Sequence, residues 1–337
     1  VPERVVFMTD RATVLLTDRA WPDDEIEREI VEAGGLRFVS GPPEPASASE
    51  IERLVRCHTP AAILTCWAPV TATAIASSAD LTVIARMGVG LDNIDVDEAT
   101  ARGIAVTNVP DYCVAEVSDH AVALVLNWTR GIAALSQAVR GGQWQPESAR
   151  LRRLASLTCG IVGYGRIGRE TARKLGAFGP RILVTGPTRP AELHGAEFVS
   201  LAELLERADV VVLHAPLTPE TRNLISRAEL ARMKPGGLLV NVGRGGLVDT
   251  AALIDAIDSG HLDAAALDVL DTEPDVPHGL RTAPSVTVTP HVAFSSDDSV
   301  AQLRRSAAQE VVRVLGGGDP LHPCNPLVRK TTKAKEA

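Results

Sequence analysis

The chain has 337 residues, enough for two domains, and its 45% hydrophobic and 23% charged content is that of a soluble globular protein. A net charge of −8, with acidic residues spread along the chain, argues against a nucleic-acid groove and against binding to an anionic membrane surface. No apolar run is long enough to span a bilayer, and the opening residues VPERVVFMTD carry no signal-peptide pattern. The five cysteines (57, 66, 113, 159, 324) show neither CxxC nor metal-ligand spacing. The expectation is a cytoplasmic protein with reduced thiols and no metal.

From residue 12 to 109 strand and helix patterns alternate. Strands are expected at 12–18, 36–40, 61–66, 81–87 and 104–109, with helices at 23–33, 49–57, 71–79 and 96–102. Such interleaving implies crossovers and a parallel sheet covered on both faces. A long helix follows at 114–130, carrying Val117, Ala121, Leu124 and Val125 at helical spacing. It holds more apolar surface than one doubly wound domain needs, which points to a homodimer. The segment 131–157, rich in Arg, Gly and Gln, reads as a wrap or linker. A second alternation has strands at 159–162, 181–185, 208–215, 237–242, 264–269 and 285–289, and an amphipathic helix at 299–315 closes the pattern. The charged tail RKTTKAKEA is expected to fray.

Within the second alternation, the apolar run Cys159–Val162 feeds directly into Gly163-Tyr164-Gly165-Arg166-Ile167-Gly168, and a helix pattern follows. The first glycine permits a tight turn, the second lets a pyrophosphate reach bare backbone, and the third lets helix pack on strand. The helix then aims its N-terminal amides at the phosphates. Strand, turn and helix in this order point to a dinucleotide site.

The motifs ARMGVGLDNIDVDEATARGIAVTNVP (85–110), VGYGRIGRE (162–170), HAPLTPETRNLI (214–225), NVGRGGLVD (241–249), ALDVLDTEP (266–274) and VTPHVAF (288–294) stand in one order along the chain. On these the chain resembles the D-isomer-specific 2-hydroxyacid dehydrogenases, most closely the phosphoglycerate dehydrogenase and C-terminal-binding-protein-like branches. The resemblance implies an α/β fold of two doubly wound, Rossmann-like parallel-sheet domains, the first discontinuous. Residues 1–110 with 296–337 would form the substrate-binding domain and 111–295 the dinucleotide-binding domain.

Reducing a 2-oxo acid requires a cation to polarise the carbonyl, an acid to protonate the forming alkoxide, and a group to tune that acid. Arg244, Glu273 and His291 each follow a strand of the second alternation, at the carboxyl edge where ligands bind. They match the family's catalytic triad: Arg244 holds the substrate oxygens, His291 is the acid and base, and Glu273 favours the imidazolium. The resemblance places Asp268 beside the nicotinamide, and His214, Ala215, Pro216, Val242 and Gly243 along the cofactor. In the first domain it assigns Gly88, Val89 and Gly90 to the substrate carboxylate and sets Arg86 toward a substrate phosphate. Asn93 and Asp95 read as supports of that loop. Phosphoglycerate dehydrogenases carry a further basic residue just after the tryptophan matching Trp144, where this chain has Gln145.

The resemblance and the glycine motif imply NAD(P)(H) as cofactor. NAD-specific domains place Asp or Glu after the second strand of the fold. Here Gly186 stands there, no acidic residue occurs between Glu170 and Glu192, and Thr188 and Arg189 follow. A guanidinium can fork onto a 2′-phosphate, so NADP(H) is favoured. The leading reading is an oxidoreductase interconverting a D-2-hydroxy acid and its 2-oxo acid. The alternatives are a cofactor-sensing scaffold like the C-terminal-binding proteins, which keeps the same triad, and a phosphite-type dehydrogenase, which keeps the glutamate.

Overall fold

The computed structural model describes residues 11–148 and 150–326; the opening residues and the tail expected to fray lie outside them. The chain forms two compact units. One takes the residues up to Tyr112 and those from Asp297 onward, the other Cys113–Ser296.

In the first unit β1 (Thr13–Leu16), β2 (Arg37–Ser40), β3 (Ala62–Thr65), β4 (Val83–Arg86) and β5 (Ala105–Thr107) form a parallel sheet. Its order is β2-β1-β3-β4-β5. β3 and β4 are buried at every residue, as strands covered on both faces must be. The crossovers are α1 (Glu25–Ala33), α2 (Ala48–His58), α3 (Ala72–Ala76) and α4 (Val96–Ala101). Ser47, Thr71 and Asp95 start the last three by accepting a backbone N–H three residues on.

The last helix, Asp297–Leu315, returns to this unit and packs on α1, β3 and β4. Its Arg304, 6% exposed, sends Nε to both carboxylate oxygens of Glu27, at 2.9 and 3.1 Å, and Glu27 is wholly buried. Arg304 also reaches Asp23 at 2.6 Å and lies over the Trp21 ring. Asn325 then closes the edge strand by accepting from Val106 N–H (2.9 Å) and donating to the Ile104 carbonyl (2.9 Å).

In the second unit β6 (Thr158–Val162), β7 (Arg181–Thr185), β8 (Glu197–Phe198), β9 (Val210–Leu213), β10 (Gly237–Asn241), β11 (Leu262–Leu267) and β12 (Val286–Val288) are parallel. The order β12-β11-β10-β9-β6-β7-β8 reverses direction between β6 and β9, so the switch point lies there. Around the sheet run α5 (Val114–Arg130), α6 (Ile132–Arg140), α7 (Arg166–Gly176), α8 (Leu201–Arg207), α9 (Arg227–Arg232), α10 (Thr250–Asp258) and α11 (His278–Thr282).

Two expectations from the sequence change. The apolar stripe of α5 is used inside its own unit: Val117, Ala121, Leu124 and Val125 are buried, and the helix packs on α7 and β10. Residues 131–157 are not all linker, because Gly131 (φ 59°) ends α5 in the left-handed conformation and α6 begins beside it. None of the residues of α6 is buried, and Ile132, Val139, Trp144 and Leu151 are exposed apolar side chains.

Candidate active site

Gly163 leaves β6 with φ 94°, and a Cβ there would lie 2.6 Å from Ala215 N, at the end of β9. A Cβ on Gly168 would fall 2.1 Å from the Gly163 carbonyl, so both positions must be glycine. Above Gly165 there is open space, and no side chain caps the N-terminus of α7, which starts at Arg166 with Ile167 and Gly168 behind it. A bare helix start at the switch point suits a pyrophosphate, so the residues fit a dinucleotide. After β7, Gly186 is likewise open, while Thr188 and Arg189 are exposed and the Arg189 guanidinium lies 6.0 Å from the Phe198 ring.

His214, Ala215 and Pro216 follow β9. His214 Nε2 is sealed from solvent with no hydrogen-bond partner, and burial pushes its imidazole down to about 4. It is neutral at neutral pH and is not a proton donor there. Val242 and Gly243 follow β10, with Val242 buried.

The carboxyl edge also gathers three chemical groups. Arg244 follows β10 with its Nη1 donating to the Gly243 carbonyl at 2.8 Å. The next residue, Gly245, has no room for a side chain: a Cβ would lie 1.9 Å from the Leu270 carbonyl carbon. This lets the loop after β10 press against the loop after β11, which carries Glu273. Glu273 Oε1 accepts from Leu270 N–H at 2.8 Å, and Oε2 meets His291 Nδ1 at 2.8 Å. Burial alone would raise the Glu273 carboxyl. The His291 hydrogen bond and charge, Leu270 N–H and the Arg244 charge outweigh it, holding the group below its usual range. The carboxylate therefore stays ionised at neutral pH and engages the His291 ring at Nδ1.

His291 has a left-handed backbone (φ 52°), held by its N–H to the Asp268 carbonyl at 2.9 Å. Asp268 stands at the end of β11. Its carboxylate, 1% exposed, accepts from Thr289 Oγ1 (2.6 Å) and from the N–H groups of Val292 (3.0 Å) and Ala293 (2.9 Å). Three donors from the His291 loop converge on it, so it holds that loop.

In the first unit, Gly88, Val89 and Gly90 follow β4. The Gly88 carbonyl accepts from Val109 N–H (3.1 Å) and the Val89 carbonyl from Asn108 Nδ2 (2.7 Å). Arg86 departs from expectation: it is 7% exposed, its guanidinium donates to the Met87 carbonyl and to Asn93 Oδ1, and it packs over Gly88. Asn93 supports the loop as expected, donating to the Ala68 carbonyl, and Asp95 caps α4. The residue missed by sequence reasoning is Asp18, 1% exposed, whose carboxylate accepts from the N–H groups of Cys66, Trp67 and Ala68. It fills the switch point between β1 and β3 from within, and its only sequence signal was a strand-end aspartate.

A glycine turn at the switch point of a doubly wound sheet, with an Arg, a Glu–His pair and a buried Asp along the same edge, defines a dinucleotide-binding unit with acid–base groups beside it. Residues 122–293 match the model for the D-isomer specific 2-hydroxyacid dehydrogenase, NAD binding domain, and the chain belongs to that family. It is 42% identical over 252 residues to D-3-phosphoglycerate dehydrogenase of Mycobacterium tuberculosis, covering 74% of this chain and 48% of that protein. The chain thus spans about half the length of that relative. The crystal structure of an NADPH-dependent glyoxylate/hydroxypyruvate reductase from Sinorhizobium meliloti, with NADP and malonate, superposes with a TM-score of 0.83 at 32% identity, covering 93% of this chain and 96% of that one. D-Lactate dehydrogenase from Aquifex aeolicus, complexed with NAD and lactic acid, does so with 0.82 at 28% identity, covering 90% and 96%. Among the described residues, no helix is long and apolar enough to cross a membrane.

Proposed function

We propose that this chain is an NAD(P)-dependent oxidoreductase interconverting a D-2-hydroxy acid and its 2-oxo acid. The observation that carries the reading is the 2.8 Å His291–Glu273 pair on the same sheet edge as Arg244. The bound nicotinamide supplies or accepts the hydride. Arg244 forks onto the substrate oxygens and polarises the carbonyl, and His291 delivers the proton to the forming alkoxide from Nε2. Glu273 keeps the imidazole oriented through its contact with Nδ1.

The substrate is a small, unphosphorylated 2-oxo acid. Arg86 spends its guanidinium inside its own unit, and Gln145 stands where phosphoglycerate dehydrogenases carry a basic residue, which supports an unphosphorylated substrate. Absorbance of the nicotinamide should report oxidation of NAD(P)H with glyoxylate or hydroxypyruvate, and little with phosphonopyruvate. No turnover with any 2-oxo acid would overturn the reading.

The same sheet edge favours NADP(H) over NAD(H), because Gly186 leaves the position after β7 open and Arg189 stands exposed three residues on. Arg189→Ala is expected to weaken NADP(H) by ~1.5–3 kcal/mol and to leave NAD(H) nearly unchanged, as loss of a charge-assisted hydrogen bond should. Equal losses with both cofactors in a binding titration would refute the assignment.

The chain works as a homodimer in the cytoplasm. Support for the dimer moves from α5 to α6 and the arm after it, where Ile132 (58%), Val139 (49%) and Trp144 (83%) expose apolar surface. Sedimentation at micromolar concentration should give a dimer, and Ile132→Glu with Val139→Glu should give a monomer. A wild-type monomer would end the idea.

A further inference from the structure

We propose that His120 is a positioning residue for His291, acting through Thr289 and Asp268. The inference rests on the reading of His291 as the proton donor. His120 lies on α5, far from His291 in sequence, with Nε2 3.0 Å from Thr289 Oγ1 and 3.7 Å from Asp268 Oδ1. The Thr289 hydroxyl has one proton, and its 2.6 Å contact with an acceptor-only carboxylate uses it. The hydroxyl can then only accept from His120, so the imidazole carries its proton on Nε2. The chain of donors runs in one direction, from His120 to Thr289 to Asp268.

The end of that chain sets the backbone of the proton donor. The carboxylate of Asp268 receives the N–H groups of Val292 and Ala293, the two residues after His291, while its carbonyl receives the N–H of His291. Thr289 lies two residues before His291, so the segment 289–293 is tied to one aspartate from both sides. The left-handed backbone of His291 is unfavourable for a residue with a Cβ and persists only where its surroundings hold it. His120 is the contribution of α5 to that hold. It anchors the threonine in the orientation that keeps Asp268 oriented toward the loop amides.

The test compares His120→Phe, which fills the space without a donor, His120→Gln, whose amide N–H can replace Nε2–H, and Thr289→Val, which removes the hydroxyl without changing shape. His120→Phe and Thr289→Val should each lower kcat by about tenfold, the weight of one buried hydrogen bond, with KM for cofactor unchanged. The double variant should be no worse than either single one, and His120→Gln should restore most of the rate. Hydrogen exchange at Val292 and Ala293 provides a readout that needs no turnover: it should quicken in His120→Phe and stay slow in His120→Gln. Unchanged exchange in His120→Phe, additive losses, or a His120→Gln variant as impaired as His120→Phe would overturn the proposal. If the wild type turns over no 2-oxo acid, the enzyme reading fails, and the exchange comparison still decides the role of His120.

Discussion

His291→Ala is expected to lower the turnover of a 2-oxo acid by ~10²–10⁴-fold, the weight of a lost general acid. The variant should still bind the nicotinamide cofactor, because the glycine turn at Gly163–Gly168 and the start of α7 are untouched. No other described histidine repeats the arrangement at the sheet edge: burial pushes His214 down to about 4, and His120 faces Thr289. Glu273→Gln should be milder, since an amide can still accept from Nδ1–H but brings no charge. Steady-state rates beside a fluorescence titration of NAD(P)H separate the two effects. Near-normal turnover in His291→Ala would remove it from the chemistry.

The largest effect on stability is expected at the ion pair that brings the last helix back to the first unit. Glu27→Gln should cost about 3–5 kcal/mol, because it leaves the Arg304 charge buried with its bidentate partner gone. Asp23 is half exposed and cannot replace a wholly buried carboxylate. Replacing both partners with methionine should recover most of the loss, since an apolar pair of similar volume carries no desolvation cost. Urea unfolding followed by a signal from Trp21, which lies 5.4 Å from the Arg304 guanidinium, reads this unit. A loss below about 1 kcal/mol for Glu27→Gln would mean that the pair behaves as a solvated surface bridge.

Most of each sheet was legible because the strands are short apolar runs between turn residues and fall within a few residues of the expected bounds, whereas the two-residue edge strand β8 (Glu197–Phe198) is too short to carry such a run. β9 is trimmed from 208–215 to Val210–Leu213, since His214 and Ala215 already turn over Gly163. α6 was obscured although Ile132, Leu135 and Val139 stand at helical spacing, because the Arg, Gly and Gln content of 131–157 reads as a linker. At the site, Arg244, Glu273 and His291 were singled out by their motifs and strand-end positions, and the structure brings Glu273 and His291 together; the glycines whose Cβ would strike neighbouring backbone were read from the turn motif. The directions of side chains were not. Arg86 and Asp268 both end strands, where ligand contact was the natural expectation, yet each is drawn inward by donors or acceptors distant in sequence or on the next turn. Nothing local to Asp268 announces that the amides of Val292 and Ala293 will fold back onto it.

The central claim is that one imidazole gives a proton in reduction and takes it in oxidation. The pH dependence of kcat/KM, measured for the wild type in both directions with one substrate pair, tests it most directly. Glu273 is held ionised below the usual carboxylate range, so its own protonation should not limit the rate near neutral pH. Reduction, which needs the imidazolium, should fade as pH rises, and oxidation, which needs the neutral ring, should fade as pH falls. Profiles that move in the same direction with pH would contradict the account.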